Sequence, residues 1–331
     1  GIMKNIKKFL ILLAGIVLLS GCSKGQDTKD VAKEVADEKS GLKVYASVYP
    51  VYDFAKKIAG DKIDVEMVMP QGTEPHGWEP DSEAIKNLEG ADMFIYNGAG
   101  LESWTDKVIG SLSNKDLKVV EASEGVELIK STHTHEHEDH DHEAVEEHNH
   151  NHEAEENNHN NDLENHNHNH EAEENNHIKN AFAELDEENK DYYESNYEKY
   201  AKMLDELDAK YNDSLKDLPN KTIVVSHEAY GYLCKDYGLT QIGIKGVNAE
   251  TEPDAKKMAE IINYIKENDI KTIFTEELID PKVSKIIADE TGCDVKVLSP
   301  IEGLSEEQIK NNEEYFSIME QNLENLVGAL K

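Results

Sequence analysis

From residue 42 onward, short apolar runs alternate with stretches in which hydrophobic positions recur at helical spacing. The pattern predicts strands at 43–48, 63–69, 93–96 and 118–120, and again at 222–225, 241–244, 272–274 and 296–298. Helical patterns lie between them, for example at 51–59, 82–88, 252–266 and 281–290. Strands that alternate with helices favour a mainly parallel sheet covered on both faces. The sequence therefore predicts an α/β protein with two lobes, each built on one such sheet.

A long helix is predicted between the two halves, over residues 179–217. Large apolar side chains recur there every three or four residues, which describes one face of a helix that ends before Pro219. They are Tyr193, Tyr197, Tyr200, Leu204, Leu207, Tyr211 and Leu215. This stripe predicts a buried face and a rigid connection between the lobes. Because open parallel sheets bind ligands beyond the carboxyl ends of their strands, we expect a binding site in the cleft between the lobes.

The stretch 133–177 interrupts this pattern. Its 45 residues contain 13 of the 15 histidines, 15 acidic residues and 11 asparagines, with no lysine. The sequence HNHNHEAEENNH occurs in it twice, at 148–159 and 166–177. Because the stretch has only two sizeable apolar side chains, burial would not offset the entropy of ordering it. Residues 131–178 are therefore predicted to form a mobile loop.

The N-terminal residues 3–22 read MKNIKKFLILLAGIVLLSGC, with lysines before an apolar run and small residues before a cysteine. The run is short for a membrane span and is typical of an export signal. Its end matches a bacterial lipobox, in which Cys22 is lipidated at the outer face of the membrane; an anchor helix is the alternative. The predicted organisation is a signal peptide 1–22, tether 23–41, N-terminal lobe 42–130, mobile loop 131–178, connecting helix 179–217 and C-terminal lobe 218–331.

Charge narrows the choice of partner. The formal net charge is −35 and the chain contains no arginine. A nucleic-acid reader needs a basic surface and a bidentate phosphate site usually needs Arg, so neither is expected, and cations are the natural ligands. Beyond the signal, Cys234 and Cys293 are compatible with one disulfide or with two thiols.

Outside the histidine-rich stretch, the two remaining histidines each follow a predicted strand. His76 lies in MPQGTEPHGWEPD, a loop stiffened by prolines, and His227 lies in TIVVSHEAYGYL. Each is compatible with a metal ligand or with an ordinary loop histidine. The position four after His227 is Gly231, so the HExxH pattern of zinc proteases is absent. No GxSxG elbow, phosphate-binding loop or GxGxxG motif occurs either, which argues against an enzyme.

Several ordered segments carry a family resemblance. They include VYASVYPVYDFAKKIAG, PQGTEPHGWEPD, ADMFIYNGAGLESWTDKV, VVSHEAYGYL, FTEELIDPKVSKIIADETG and LSPIEGLS. With these segments the chain resembles the substrate-binding lipoproteins of bacterial zinc ABC importers, the cluster A-I group or solute-binding protein family 9. The resemblance implies two α/β lobes joined by a long helix, with a metal ion held between them.

The resemblance also implies a set of ligands. His76, His227 and Glu302 occupy three of the family's ligand positions. The segment that carries the family's remaining histidine is missing here, and His177 is the nearest candidate, with His170 or a water molecule as alternatives. Imidazole nitrogens with a carboxylate suit Zn²⁺, whereas Mn²⁺ prefers more oxygen. Glu74 and Glu228 are candidate acceptors for the N–H groups of the ligands, or else exposed charges.

The histidine-rich stretch is interpreted as an auxiliary, weak zinc collector or sensor, since its charge and repeated imidazoles raise the local concentration of a cation. A linker without such a role is the alternative. The histidines concerned are His133, His135, His137, His140, His142, His148, His150, His152, His159, His166, His168 and His170. The predicted protein is a monomeric, non-enzymatic Zn²⁺ carrier that serves a membrane permease and its ATPase. Carriage of manganese, iron or nickel, or a zinc-dependent adhesin or hydrolase, are the alternatives.

Overall fold

The computed structural model describes residues 40–125, 168–246 and 252–331. In the N-terminal lobe, four parallel strands lie in the order β2-β1-β3-β4, and in the C-terminal lobe four more lie in the order β6-β5-β7-β8. The strands are β1 (Lys43–Ala46), β2 (Asp64–Met67), β3 (Met93–Tyr96), β4 (Lys118–Glu121), β5 (Thr222–Val225), β6 (Thr240–Gly243), β7 (Thr272–Thr275) and β8 (Asp294–Val297). The predicted α/β class with two parallel sheets is confirmed, and the strand ends differ from the predicted ones by a few residues.

Helices cover the sheets and connect the lobes. They are α1 (Tyr49–Ala59), α2 (Ser82–Glu89), α3 (Thr105–Ser111), α4 (His168–Leu185), α5 (Lys190–Leu215), α6 (Gly231–Tyr237), α7 (Ala255–Glu267), α8 (Lys282–Thr291), α9 (Glu306–Lys310) and α10 (Tyr315–Leu330). No helix in the described part of the chain has the length and apolar character needed to cross a membrane.

Each sheet is buried on both faces, as expected for parallel strands. In β1, Val44 packs on one face of the sheet and Tyr45 on the other. In β5, Ile223 and Val225 join one apolar cluster, and Val224 joins the cluster on the opposite face. Successive side chains of a strand thus pack into apolar clusters on opposite faces of the sheet. The loops that follow the carboxyl ends of the strands converge at one edge of the sheet.

The connecting helix α5 belongs to the cores of both lobes. Tyr193 near its start packs with the N-terminal lobe, whereas Leu204 to Leu215 pack with the C-terminal lobe. The helix is shorter than the predicted 179–217, because α4 ends at Leu185 and α5 begins at Lys190. Asp186 lies at the break, where its carboxylate accepts a hydrogen bond of 2.6 Å from the Tyr193 hydroxyl.

Residues 168–178, predicted as part of the mobile loop, are helical in α4. The prediction was wrong because it considered only the polar composition of the repeat. In the fold, Glu171 is buried, and Ile178 and Phe182 pack into the core of the N-terminal lobe. Packing of these later turns orders the polar residues before them, as tertiary contacts commonly do for helices of weak intrinsic propensity.

The buried Glu171 also contacts the other lobe. Its carboxylate is hydrogen-bonded to Tyr315 at the start of α10, and the charges of Asp53 and Lys57 on α1 act on it. Burial raises the pKa of Glu171 to about 8. Burial thus favours the neutral form of this carboxyl group in the folded protein.

The two cysteines are free thiols. Cys234 lies in the apolar cluster that contains α5 and α10, whereas Cys293 packs in the cluster on the opposite face of the C-terminal sheet. Because they belong to separate clusters, the alternative with two thiols is the correct one.

Candidate metal centre

His227 lies at the carboxyl end of the C-terminal sheet. β5 ends at Val225, and Ser226 and His227 follow it directly. The neighbouring strand β7 ends at Thr275 and is followed by Glu276. Because these strands are parallel and adjacent, the residues that follow them meet. Glu276 accepts a hydrogen bond from the Ser226 hydroxyl and contacts Nδ1 of His227, and all three side chains are buried.

The contact with Glu276 determines which ring nitrogen of His227 is available. A carboxylate at Nδ1 favours the tautomer with the proton on that atom, which leaves a lone pair on Nε2. Nε2 is buried and has no hydrogen-bond partner among the described residues. Burial acts to lower the pKa of His227. The hydrogen bond with Glu276 and the negative charge of that carboxylate outweigh burial and raise the pKa above its ordinary value. A buried, oriented lone pair is what a metal ion requires of an imidazole.

His76 faces His227 from the N-terminal lobe, in the loop that follows β2. The two rings are edge to face, with centroids 5.7 Å apart. Nε2 of His76 lies 3.3 Å from Oε1 of Glu302 and 3.8 Å from Oε1 of Glu74. The same oxygen of Glu74 accepts a 3.2 Å hydrogen bond from the backbone N–H of His76, so Glu74 is held against its own loop. Burial raises the pKa of Glu74 even though His76 acts to lower it.

Glu302 is positioned by the loop that follows β8. The side-chain amide of Asn322, on α10, makes two hydrogen bonds of 2.8 Å to the backbone of Ser299. The Ser299 hydroxyl accepts a 3.1 Å hydrogen bond from the N–H of Ile301 and donates one to Glu277. Ile301 is fully buried with φ 56°, a left-handed conformation that β-branched residues rarely adopt. Such backbone persists only where its surroundings fix it, so the loop presents Glu302 from a defined position.

Ligand atoms of His76, His227 and Glu302 lie within 4.8 Å of one another. Ligands of a tetrahedral zinc ion, with bonds of about 2.0–2.1 Å, are about 3.4 Å apart, and the separation of His76 and Glu302 is close to that value. The loops that carry His76 and Glu302 approach closely, since a Cβ atom on Gly303 would lie 3.3 Å from the carbonyl oxygen of Thr73, as well as 2.9 Å from Leu278 Cδ1. Two nitrogens and one oxygen from both lobes form a donor set suited to Zn²⁺.

The other predicted site residues lie elsewhere or outside the described residues. His177, on α4, is not part of the group, and its Nε2 is buried without a hydrogen-bond partner among the described residues. Its role as a ligand stays a prediction. Cys22 and the predicted auxiliary histidines up to His166 lie outside the described part of the chain, as do the side chains of His168 and His170.

Sequence reasoning missed Glu276. Glu228, next to His227, was the predicted partner for a ligand N–H, but the carboxylate at Nδ1 of His227 belongs to Glu276. The backbone N–H of Glu228 donates to the carbonyl of Gly246 at 3.1 Å. The sequence contains a signal for this pairing. The segment TIFTEE, which contains β7, ends in Glu276 and Glu277, and the adjacent strand β5 is followed by Ser226 and His227. Residues that follow adjacent parallel strands are neighbours, so the pairing followed from the strand order.

Comparison with known proteins identifies the family of the chain. Residues 44–329 match the family model for the periplasmic zinc-uptake complex component A, ZnuA. The high-affinity zinc uptake system protein ZnuA of Bacillus subtilis is 35% identical over 324 residues, covering 97% of each chain. The zinc-binding protein AdcA of Streptococcus pyogenes serotype M6 is 37% identical over 298 residues, and the match spans 57% of AdcA.

Solved structures show the same fold. The Zn(II)-bound ZnuA-like domain of Streptococcus pneumoniae AdcA matches with a TM-score of 0.71 and 30% identity, over 87% of this chain and 98% of that domain. The laminin-binding protein Lmb of Streptococcus agalactiae, described as a bifunctional protein with adhesin and metal transporting activity, matches with a TM-score of 0.72 and 30% identity, over 88% and 100%. The chain therefore belongs to the ZnuA family of zinc-uptake substrate-binding components.

Proposed function

We propose that the protein is the substrate-binding component of a zinc ABC importer, which binds Zn²⁺ between its two lobes and passes it to a membrane permease. The observation that carries the proposal is the buried Nε2 of His227, which has no partner among the described residues and lies in a group with His76 and Glu302. Glu276 orients that nitrogen from the opposite side of the ring. This is the arrangement of a metal ligand with its outer carboxylate.

The proposed activity is transport rather than catalysis. The Ser226 hydroxyl, which precedes His227, donates to Glu276, whereas a nucleophile would donate to the ring nitrogen of its base. Relatives are named for zinc uptake and zinc binding. The protein is not an enzyme in this proposal, and Zn²⁺ is its cargo.

The proposal includes export and a lipid anchor at Cys22, outside the cell membrane. The relative from Streptococcus pneumoniae is named a zinc-binding lipoprotein, and the family model describes a periplasmic component. The partners are then a permease in the same membrane and its ATPase, which receive zinc from a monomeric carrier.

The histidine-rich stretch 133–177 is proposed to collect zinc for the cleft. Its repeated imidazoles and 15 acidic residues attract a divalent cation, but each contact must offset the ordering of a polar chain. Binding there is expected to be weaker than at the centre between the lobes.

A metal titration of the full chain tests the proposal. We expect one tight zinc equivalent, measured by competition with a chromophoric chelator, that His227→Ala and His76→Ala each abolish. His148→Ala is the matched control and should retain it. A tight site that survives His227→Ala, or a preference for Mn²⁺ over Zn²⁺ at that site, would contradict the proposal.

The likeness to Lmb favours a second candidate, adhesion to laminin, because Lmb is described as both adhesin and metal transporter. Adhesion would require saturable binding to immobilised laminin. Comparing the wild-type protein with His227→Ala, with and without zinc, tells whether such binding depends on the metal centre.

A further inference from the structure

Strand β7 lies between the two strands whose loops carry the metal-centre residues of the C-terminal lobe. His227 follows β5, Glu302 follows β8, and the sheet order is β6-β5-β7-β8. Glu276, the first residue after β7, contacts His227. We propose that Glu277, the next residue, is a positioning residue for Glu302, so that two consecutive acids set the placement of both donors. This inference rests on the proposed function, since it concerns the same zinc ion.

Glu277 holds the loop of Glu302 at both of its ends. Oε1 of Glu277 accepts a hydrogen bond from the hydroxyl of Ser299, before Glu302, and one of 3.4 Å from the side-chain amide of Gln308, after it. Gln308 is itself fixed, because it forms a capping box with Ser305 at the start of α9. A single carboxylate oxygen on the segment after β7 thus contacts both ends of the loop that presents Glu302.

The surroundings of Glu277 separate hydrogen bonding from packing. Oε2 of Glu277 is buried and has no hydrogen-bond partner among the described residues, whereas Oε1 makes both contacts. The next side chain, Leu278, packs so closely against the same loop that a Cβ atom on Gly303 would lie 2.9 Å from it. An apolar side chain of similar size at 277 would therefore keep the packing and remove the two hydrogen bonds.

The backbone of this loop needs such an anchor. Ile301, next to Glu302, has φ 56°, and its N–H donates to the same Ser299 hydroxyl that donates to Glu277. Strained backbone persists only where its surroundings fix it. Without the acceptor on Glu277, the loop should populate other conformations, and zinc affinity falls in proportion to the fraction of molecules that remain competent to bind.

The test compares Glu277→Leu and Glu277→Gln with Glu307→Leu, which replaces an exposed acid on α9. Zinc affinity of the full chain is measured by chelator competition, and thermal unfolding of the metal-free variants identifies any folding defect. We expect Glu277→Leu to lose about tenfold in zinc affinity, as the loss of two hydrogen bonds can cost. Glu277→Gln keeps an accepting oxygen and should recover most of that loss, and Glu307→Leu should resemble the wild type.

A second background shows whether the effect passes through Glu302. In Glu302→Ala, measured with a weaker chelator, Glu277→Leu should cause no further loss of zinc affinity. Glu276→Gln should still weaken binding in that background, because it acts through His227. Ser299→Ala removes the donor to Glu277 and should repeat the result of Glu277→Leu, which keeps the inference testable if that variant folds poorly.

Two outcomes overturn the inference and leave the proposed function intact. One is wild-type zinc affinity in both Glu277→Leu and Ser299→Ala while His227→Ala loses the site. The other is an equal loss from Glu277→Leu in the wild-type and Glu302→Ala backgrounds, which would indicate a general effect on the fold. A wild-type chain without a tight zinc site would instead refute the proposed function.

Discussion

Replacing Glu276 by glutamine should weaken zinc binding by about ten- to a hundredfold, although Glu276 acts through His227. Its carboxylate contacts Nδ1 of a fully buried imidazole and accepts from Ser226. A hydrogen bond to a charged group contributes about 1.5–3 kcal/mol, and each 1.4 kcal/mol is a factor of ten in affinity. Glutamine keeps the shape but loses the charge that orients the ring, so Nε2 is held less firmly towards the ion. Loss of such outer partners typically costs about 10–100-fold.

The assay is chelator competition at one zinc equivalent, with thermal unfolding of the metal-free protein as a check on the fold. Glu228→Gln is the matched control, because it removes the acid next to His227 in sequence and should keep wild-type affinity. Glu276→Asp should recover part of the affinity lost in Glu276→Gln, since it restores a carboxylate. If Glu228→Gln weakens zinc binding and Glu276→Gln does not, the assignment of the orienting carboxylate is refuted.

Three further predictions concern residues outside the candidate metal centre, namely Glu171, Gly303 and Asn322. Because the pKa of Glu171 is raised to about 8 by burial, the folded state retains a proton that the unfolded state loses above pH 4.5. The contribution of Glu171 to the free energy of unfolding is fully present below pH 4.5 and is lost as the pH rises to about 8. Between pH 4.5 and pH 8, the free energy of unfolding of Glu171→Gln should therefore rise by about 5 kcal/mol relative to that of the wild type, as measured by urea unfolding. A difference between the two proteins that does not change with pH would contradict this prediction. Gly303→Ala should lower zinc affinity, because the added Cβ would lie 2.9 Å from Leu278 Cδ1 and 3.3 Å from the Thr73 carbonyl oxygen and would displace the loop that carries Glu302, whereas Gly110→Ala, with open space at its Cβ, should not. Asn322→Ala should weaken zinc binding by about tenfold through loss of two hydrogen bonds to the loop that carries Glu302, and Asn325→Ala, which removes one solvent-exposed hydrogen bond from α10 to Val297, is its control.

The sheets and two of the three residues of the candidate metal centre were within reach of sequence reasoning. Alternating apolar runs predicted the strands, and the rule that sites lie beyond strand ends singled out His76 and His227. Glu302 could not be predicted from the pattern of residues, because a single acidic residue in a loop has no recognisable periodicity. Only the family resemblance indicated it. The helical start of α4 was missed for another reason. The start of α4 is helical because Ile178 and Phe182 pack into the core of the N-terminal lobe. The composition of the repeat alone gives no information about that tertiary contact.

Both lobes carry a buried pairing of serine and carboxylate beyond a strand end, but only the C-terminal lobe places an imidazole against the carboxylate. In the N-terminal lobe, Ser47 follows β1 and donates to Glu102, as Ser226 donates to Glu276 in the C-terminal lobe.

 In the N-terminal lobe the carboxylate also accepts two backbone N–H groups, at 2.8 and 3.0 Å, so its own loop satisfies it. In the C-terminal lobe the residue after the serine is His227 rather than the valine of the first lobe, and the acid contacts an imidazole instead. The same kind of buried pairing therefore holds a loop in one lobe and orients the imidazole of His227 in the other. Because Ser47 and Val48 follow β1, the imidazole of the N-terminal lobe comes instead from the longer loop after β2, and we expect zinc affinity to depend on how closely that loop approaches the C-terminal lobe.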